Sequence, residues 1–278
     1  MIKRILVPTD GSEYASIGVR YAVASAKRYK AALVGLHVVD IKLLEGPFLR
    51  DISASLGTAP YVNYQGNISM ILEERGNAAL DSFRQACEEA GVTCETCQVT
   101  GIVPRCIVEK GELADLIVMG RGGEHGQWLD GLVGSTTAGV VRRAAQPVLV
   151  TGIDTPGTRR FVVAYDGSPH AKKALQAAAG IAGDWQVPCH VLAVGDEKAD
   201  YLLDEARAYL GTHDIEVDYV LRAGDPSEVI VQYAKECQAD LLVMGAYGHT
   251  KVRELVVGSV TAYALNHAEC PLLLSRQG

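Results

Sequence analysis

No run of about 18 or more apolar residues occurs in the chain, so no membrane-spanning helix is indicated. Ile2-Lys3-Arg4-Ile5-Leu6-Val7 opens directly as a strand pattern, with no export signal ahead of it, and a cytoplasmic protein is expected. Basic residues do not gather anywhere. The 26 Lys and Arg are outweighed by 33 Asp and Glu, for a net charge of −7, which argues against nucleic acid as the main partner. The seven cysteines are an odd number and are scattered, which fits reduced, mostly buried thiols. Cys94 and Cys97 do form a C-x-x-C pair, but in a strand pattern, where residues three apart point to opposite faces. A redox pair would need a helix N-terminus, and a zinc site more ligands.

Catalytic signatures are missing too. No Ser-His-Asp spacing, metal-ligand cluster or paired carboxylates can be read, and the Walker A lysine is absent. The G-x-G-x-x-G dinucleotide fingerprint does not follow the first strand. Nothing would position an attacking water or neutralise phosphoryl charge, so binding without efficient turnover is expected. No catalytic residue and no metal site is assigned.

What is present is a duplicated glycine pattern. Met244-Gly245-Ala246-Tyr247-Gly248 follows the strand pattern Asp240–Val243, and Gly258-Ser259 follows Gly248 after a nine-residue spacer, at the start of a helical pattern. A glycine-rich turn between a buried strand and a helix start suits a phosphate: backbone N–H groups can approach it, and the helix end adds unpaired donors. Met119-Gly120-Arg121-Gly122-Gly123 repeats the motif after Leu116–Val118 and closes at Gly134-Ser135, with a ten-residue spacer. The strand starts match as well. Val7-Pro8-Thr9-Asp10-Gly11-Ser12 falls on Val163-Ala164-Tyr165-Asp166-Gly167-Ser168, and the same offset of 156 residues carries Val38 onto Val194. The chain therefore divides into repeat one, residues 1–153, a linker at 154–158, and repeat two, residues 159–278. Repeat one holds an insertion at about 41–79.

Each repeat alternates strands and helices. In repeat one the strands are expected at Ile5–Pro8, Leu33–Val39, Thr93–Val99, Leu116–Met119 and Val148–Thr151. Unbroken apolar strands separated by amphipathic helices specify an α/β, doubly wound fold with a parallel sheet covered on both faces. With strand order 3-2-1-4-5 the winding reverses between strands one and four. Asp10 and Gly120 then share one crevice, as do Asp166 and Gly245. Each final strand, Pro147–Thr151 and Pro271–Ser275, is an apolar edge that invites pairing, so the two five-stranded sheets are expected to meet as an internal pseudo-dimer.

These features together resemble the universal stress protein family, over roughly Met1–Ile153 and Arg159–Gln277. The likeness rests on the V-P-x-D-G-S start, the H-V-V-D strand end, D-L-I-V-M-G, the glycine loop and the closing A-x-x-P-V-L-V strand. It implies an ATP-binding stress-response regulator, holding ATP or ADP with Mg²⁺, that forms a homodimer beyond the internal pseudo-dimer and acts on an unknown protein partner. Carried over by residue, the adenine nucleotide would touch Ala164, Asp166, Val194, Gly245, Gly248, Gly258, Ser259 and Val260 in repeat two. The matching set in repeat one is Pro8, Asp10, Val38, Gly120, Gly123, Gly134, Ser135 and Thr136. The standard spacer and the loop charges, Lys251 and Arg253 against Glu254 in repeat two but Arg121 against Glu124 and Asp130 in repeat one, favour repeat two as the main site. The alternative is a scaffold with vestigial loops, or a binder of apolar ligands through the insertion. That insertion is rich in Leu, Ile and aromatic residues and is broken at Gly46-Pro47 and Ala59-Pro60. It is expected to fold over repeat one or the groove between the repeats.

Overall fold

The computed structural model describes residues 2–45, 61–123, 133–152, 159–196, 199–247 and 258–277. The linker and the inner parts of both glycine loops, including Gly248, His249, Lys251 and Arg253, lie outside the described residues, as do positions 46–60 of the insertion.

Repeat one runs β1 (Arg4–Pro8), α1 (Glu13–Tyr29), β2 (Ala32–Asp40), α2 (Ile41–Glu45), α3 (Tyr61–Ala90), β3 (Cys94–Gly101), α4 (Val103–Gly111), β4 (Leu116–Met119), α5 (Ser135–Arg143) and β5 (Val148–Val150). Repeat two runs β6 (Phe161–Ala164), α6 (Pro169–Trp185), β7 (Cys189–Val194), α7 (Asp200–Leu210), β8 (Val217–Arg222), α8 (Pro226–Glu236), β9 (Leu241–Gly245), α9 (Ser259–His267) and β10 (Leu272–Ser275). All ten strands form one sheet in the order β3-β2-β1-β4-β5-β10-β9-β6-β7-β8. Each repeat thus has order 3-2-1-4-5 with parallel pairs, and the two halves join antiparallel through Leu272↔Val150, Leu273↔Leu149 and Leu274↔Val148. The apolar edges expected to pair do pair.

Local sequence explains the helix boundaries. Ser12 caps α1 by accepting from the Ala15 N–H, and Ser168 caps α6 by accepting from Ala171, with Pro169 at the first helical position. Both helices end in a left-handed residue at matching positions, Lys30 and Gln186. The sheet is covered on both faces, so strand residues alternate between two cores: Ile5, Val7 and Val163 enter one, Leu6, Val162 and Leu192 the other. Cys94 and Cys97 follow the same rule and pack on opposite faces, and all seven cysteines are free thiols. Among the described residues no helix is long and apolar enough to cross a membrane.

The two repeats differ most between their second and third strands. There repeat two has the 11-residue α7, and repeat one has α2 and the 30-residue α3. Part of the segment read as an insertion is therefore an N-terminal extension of a helix both repeats possess. α3 begins directly after the Ala59-Pro60 pair.

Candidate functional site at the carboxyl edge of the first repeat

β1 ends at Pro8, and β4 ends one residue before Gly120. Because β1 and β4 are neighbours whose connections wind to opposite sides, a crevice opens between their carboxyl ends. It holds a cavity of about 600 Å³. Pro8, Asp10, Val38, Gly120, Gly123, Gly134, Ser135 and Thr136 all line it, so the eight residues singled out in repeat one meet in one place.

At one end lies the β2 backbone. Leu36 accepts a hydrogen bond from the Thr9 N–H at 2.8 Å, so the edge of β2 at Leu36 faces β1. Two residues on, the N–H and C=O of Val38 face the same way, where β1 has already ended. A donor and an acceptor side by side on a strand edge suit the edge of a planar base. Beside them the Asp10 carboxylate accepts from Ser12 N at 3.0 Å, which turns the chain into α1 and leaves the carboxyl at the crevice.

At the other end lies α5. Its N-cap is Gly134, which supplies no side-chain cap, so the first amides of the helix keep their hydrogen-bonding capacity for an anion. The cradle is fixed from below. Thr137 Oγ1 donates to Gly120 O at 3.0 Å, and Gly134 N donates to Arg121 O at 3.1 Å, closing the two ends of the glycine loop on each other. A Cβ on Gly134 would lie 3.5 Å from Gly122 Cα.

The sequence reading passed over several lining residues. Thr137 has a counterpart in Thr261, whose hydroxyl donates to Gly245 O at 3.1 Å, so both repeats carry a threonine two residues after the loop serine. Ala78, Ala79 and Ser82 of α3 form one wall, and Leu43 of α2 with Leu72 and Arg75 of α3 extend it into the segment read as an insertion. Among the described residues no group of three or more His, Cys, Asp or Glu could hold a metal ion.

Repeat two builds the same frame with different filling. Ala164 ends β6, Val194 ends β7, Gly245 ends β9, and Gly258, Ser259 and Val260 start α9. Gly245 sits hard against α6, where a Cβ would come 2.9 Å from Ala171 N. Gly258 lies over Tyr247, with 3.5 Å from its notional Cβ to Tyr247 Cα. Asp166 accepts from Ser168 N at 2.9 Å, as Asp10 does from Ser12. The end of the crevice beside the first strand differs. Ala79 faces Gly11 in repeat one, but Leu202 faces Gly167 in repeat two, 2.8 Å from the position of its Cβ. Three residues along each helix, Ser82 is replaced by Glu205, and at the end of the first strand Thr9 is replaced by Tyr165. The Tyr165 hydroxyl donates to Glu205 at 2.6 Å, and Lys172 pairs with the same carboxylate at 2.5 Å. Lys172 and then the tyrosine hydroxyl hold the Glu205 carboxyl below its ordinary range, while burial leads in raising Tyr165.

Arg121 bears on the charge comparison between the loops. Its guanidinium turns away from the repeat-one cavity to the carbonyls of Ala268 and Cys270, at 2.6 and 3.2 Å, and burial lowers its pKa. With its charge directed to the other repeat, loop one is left more negative, so the charge comparison on its own still favours repeat two.

A model of the universal stress protein family matches residues 1–152, 157–218 and 196–276. A universal stress protein from Synechocystis is 30% identical over 293 residues, covering 99% of this chain and all of the relative. Another, from Mycobacterium tuberculosis, is 24% identical over 301 residues, covering 98% and 97%. The crystal structure of a universal stress protein from Archaeoglobus fulgidus shares the fold, with a TM-score of 0.78 at 24% identity and coverage of 99% and 98%.

Proposed function

The chain belongs to the universal stress protein family, and from that premise we propose that it is a nucleotide-binding regulator holding one ATP or ADP in repeat one. The observation that carries this is that the eight positions the family resemblance singles out in repeat one all line one cavity of about 600 Å³. In this reading adenine lies along the Val38 backbone, and Asp10 accepts from the ribose hydroxyls. The phosphates lie on the amides of Ser135 and Thr136 with the Ser135 hydroxyl. Mg²⁺ would ride on the phosphates, since the described side chains offer no metal cluster of their own.

The assignment to repeat one departs from the preference drawn from loop spacing and charge. Leu202, Glu205 and Tyr165 occupy the positions that Ala79, Ser82 and Thr9 leave small, which supports an open adenosine end in repeat one. Repeat two contributes the partner sheet, and beside its own residues Ala164, Asp166, Val194, Gly245, Gly258, Ser259 and Val260 these bulkier side chains take up that room. We read the protein as a cytoplasmic binder without efficient turnover whose nucleotide state is sensed by a protein partner. The half-exposed Leu43 on α2, with Met70 and Ile71 on α3, gives such a partner apolar contact close to the cavity.

The test is direct. Denaturing the purified protein should release adenine nucleotide, and calorimetry on stripped protein should give one Mg²⁺-ATP per chain, lost in Asp10→Ala. No binding in the unmodified chain would leave the scaffold reading in its place.

A further inference from the structure

The glycine loop of repeat one leaves the sheet at Gly120 and runs to Gly134, the N-cap of α5. Both ends are tied to one place in the other repeat, the carboxyl end of α9. At the start of the loop Arg121 donates to the carbonyls of Ala268 and Cys270. At its end the Val133 N–H donates to Asn266 Oδ1 at 2.8 Å. The Asn266 amide is itself oriented, because its Nδ2 donates to Ala262 O at 2.9 Å and so turns Oδ1 towards Val133. The position matching Asn266 in repeat one is Arg142, whose backbone carbonyl accepts from the Tyr247 hydroxyl at 2.8 Å and from Arg276 at 3.0 Å, so the start of the repeat-two loop is held across the seam as well.

A phosphate is held well by donors that are already in place when it arrives. The donors here are the amides that follow Val133. We propose that repeat two shapes the phosphate end of the repeat-one site, with Asn266 as its positioning residue and Arg121 as the second tie. This rests on the nucleotide occupying the repeat-one cavity. Neither side chain needs to touch the nucleotide; each fixes one end of the loop that leads into the α5 amides, which do.

The consequence is specific to phosphate. Losing the Asn266 acceptor should loosen the cradle and leave the Val38 and Asp10 end alone. Full-length protein, Asn266→Ala and Arg121→Met are titrated with Mg²⁺-ATP and, separately, with adenosine, with urea midpoints recorded for each. Both variants should weaken ATP binding by about five- to tenfold, the loss of one well-placed hydrogen bond, and leave adenosine affinity within about twofold. If Asn266→Ala does not fold, Arg121→Met decides alone. Unchanged ATP affinity in folded variants would overturn the positioning role while the nucleotide reading stands. Equal losses for ATP and adenosine would overturn it as well, because the damage would then not be confined to the phosphate end. Absence of ATP binding in the unmodified chain would instead remove the nucleotide reading on which the inference rests.

Discussion

Gly123 faces the carboxylate of Asp10: a Cβ built on Gly123 would lie 2.7 Å from Asp10 Oδ2. The loop after β4 and the turn after β1 thus close on each other, and only hydrogen fits between them. Gly123 is not among the residues with a left-handed backbone, so what favours glycine there is the nearness of the carboxylate and not the backbone conformation. Gly123→Ala should push the carboxylate aside without straining the chain. ATP affinity is expected to fall by about tenfold, roughly 1.4 kcal/mol, with little change in the urea midpoint. Calorimetry beside a denaturation curve checks both, and an unchanged affinity would remove Asp10 from the site.

Repeat two should be convertible. Leu202→Ala with Glu205→Ser gives α7 the small wall that α3 presents at Ala79 and Ser82. The leucine is buried and its truncation costs about 2–5 kcal/mol, so the variant is assayed only where it stays folded. Calorimetric stoichiometry should then rise from one ATP per chain towards two. A folded variant that still binds one would show that α7 is not what narrows the second crevice.

Much of this was legible in the sequence because the duplication fixes two registers at once. Strand ends fell within a residue or two of β1 to β5, since each is a short apolar run closed by turn residues. Ser12 and Ser168 announced their helices, and the pairing of β5 with β10 followed from two apolar edges. The substitution of Thr9 by Tyr165 was in plain view at the 156-residue offset; its effect was not, because it depends on Glu205 from a helix whose register the insertion obscures. Arg121 could not have been placed at all. Its partners are carbonyls, which carry no side-chain signature, and its charge had been assigned to its own loop.

Two glycines separate packing from propensity. A Cβ on Gly120 would come 2.5 Å from the Tyr14 carbonyl oxygen in α1, and a helix backbone cannot swing away as a side chain can. Gly120→Ala should cost about 1–3 kcal/mol by overpacking. Gly180, inside α6, meets nothing within 4 Å, so Gly180→Ala should gain about 0.5–1 kcal/mol from helix propensity. Urea midpoints should move in opposite directions. A stabilising Gly120→Ala would mean that α1 does not sit as close to the loop as described.

Stability should also fall on mild acidification, partly through His170. The Gln277 N–H donates to His170 Nδ1 at 2.8 Å, which needs that nitrogen unprotonated, and the ring lies against Tyr247 with centroids 5.4 Å apart. Burial, and then the charge of Arg276, lower its pKa from the ordinary 6.5, with Asp166 opposing. Since the folded value lies below the unfolded one, the unfolded chain takes up the proton first. Stability is therefore complete above about pH 6.5 and is lost as pH falls from there through the lower folded value. Asn at this position can still accept from Gln277 but cannot charge. His170→Asn should accordingly show a shallower loss of stability between about pH 7 and 5 than the unmodified chain, whose carboxylates are otherwise the same. Urea unfolding at half-unit pH steps gives both curves. Parallel curves would mean that His170 binds its proton equally in both states, and the acid sensitivity would then have to come from His190, which burial and Arg160 shift in the same direction.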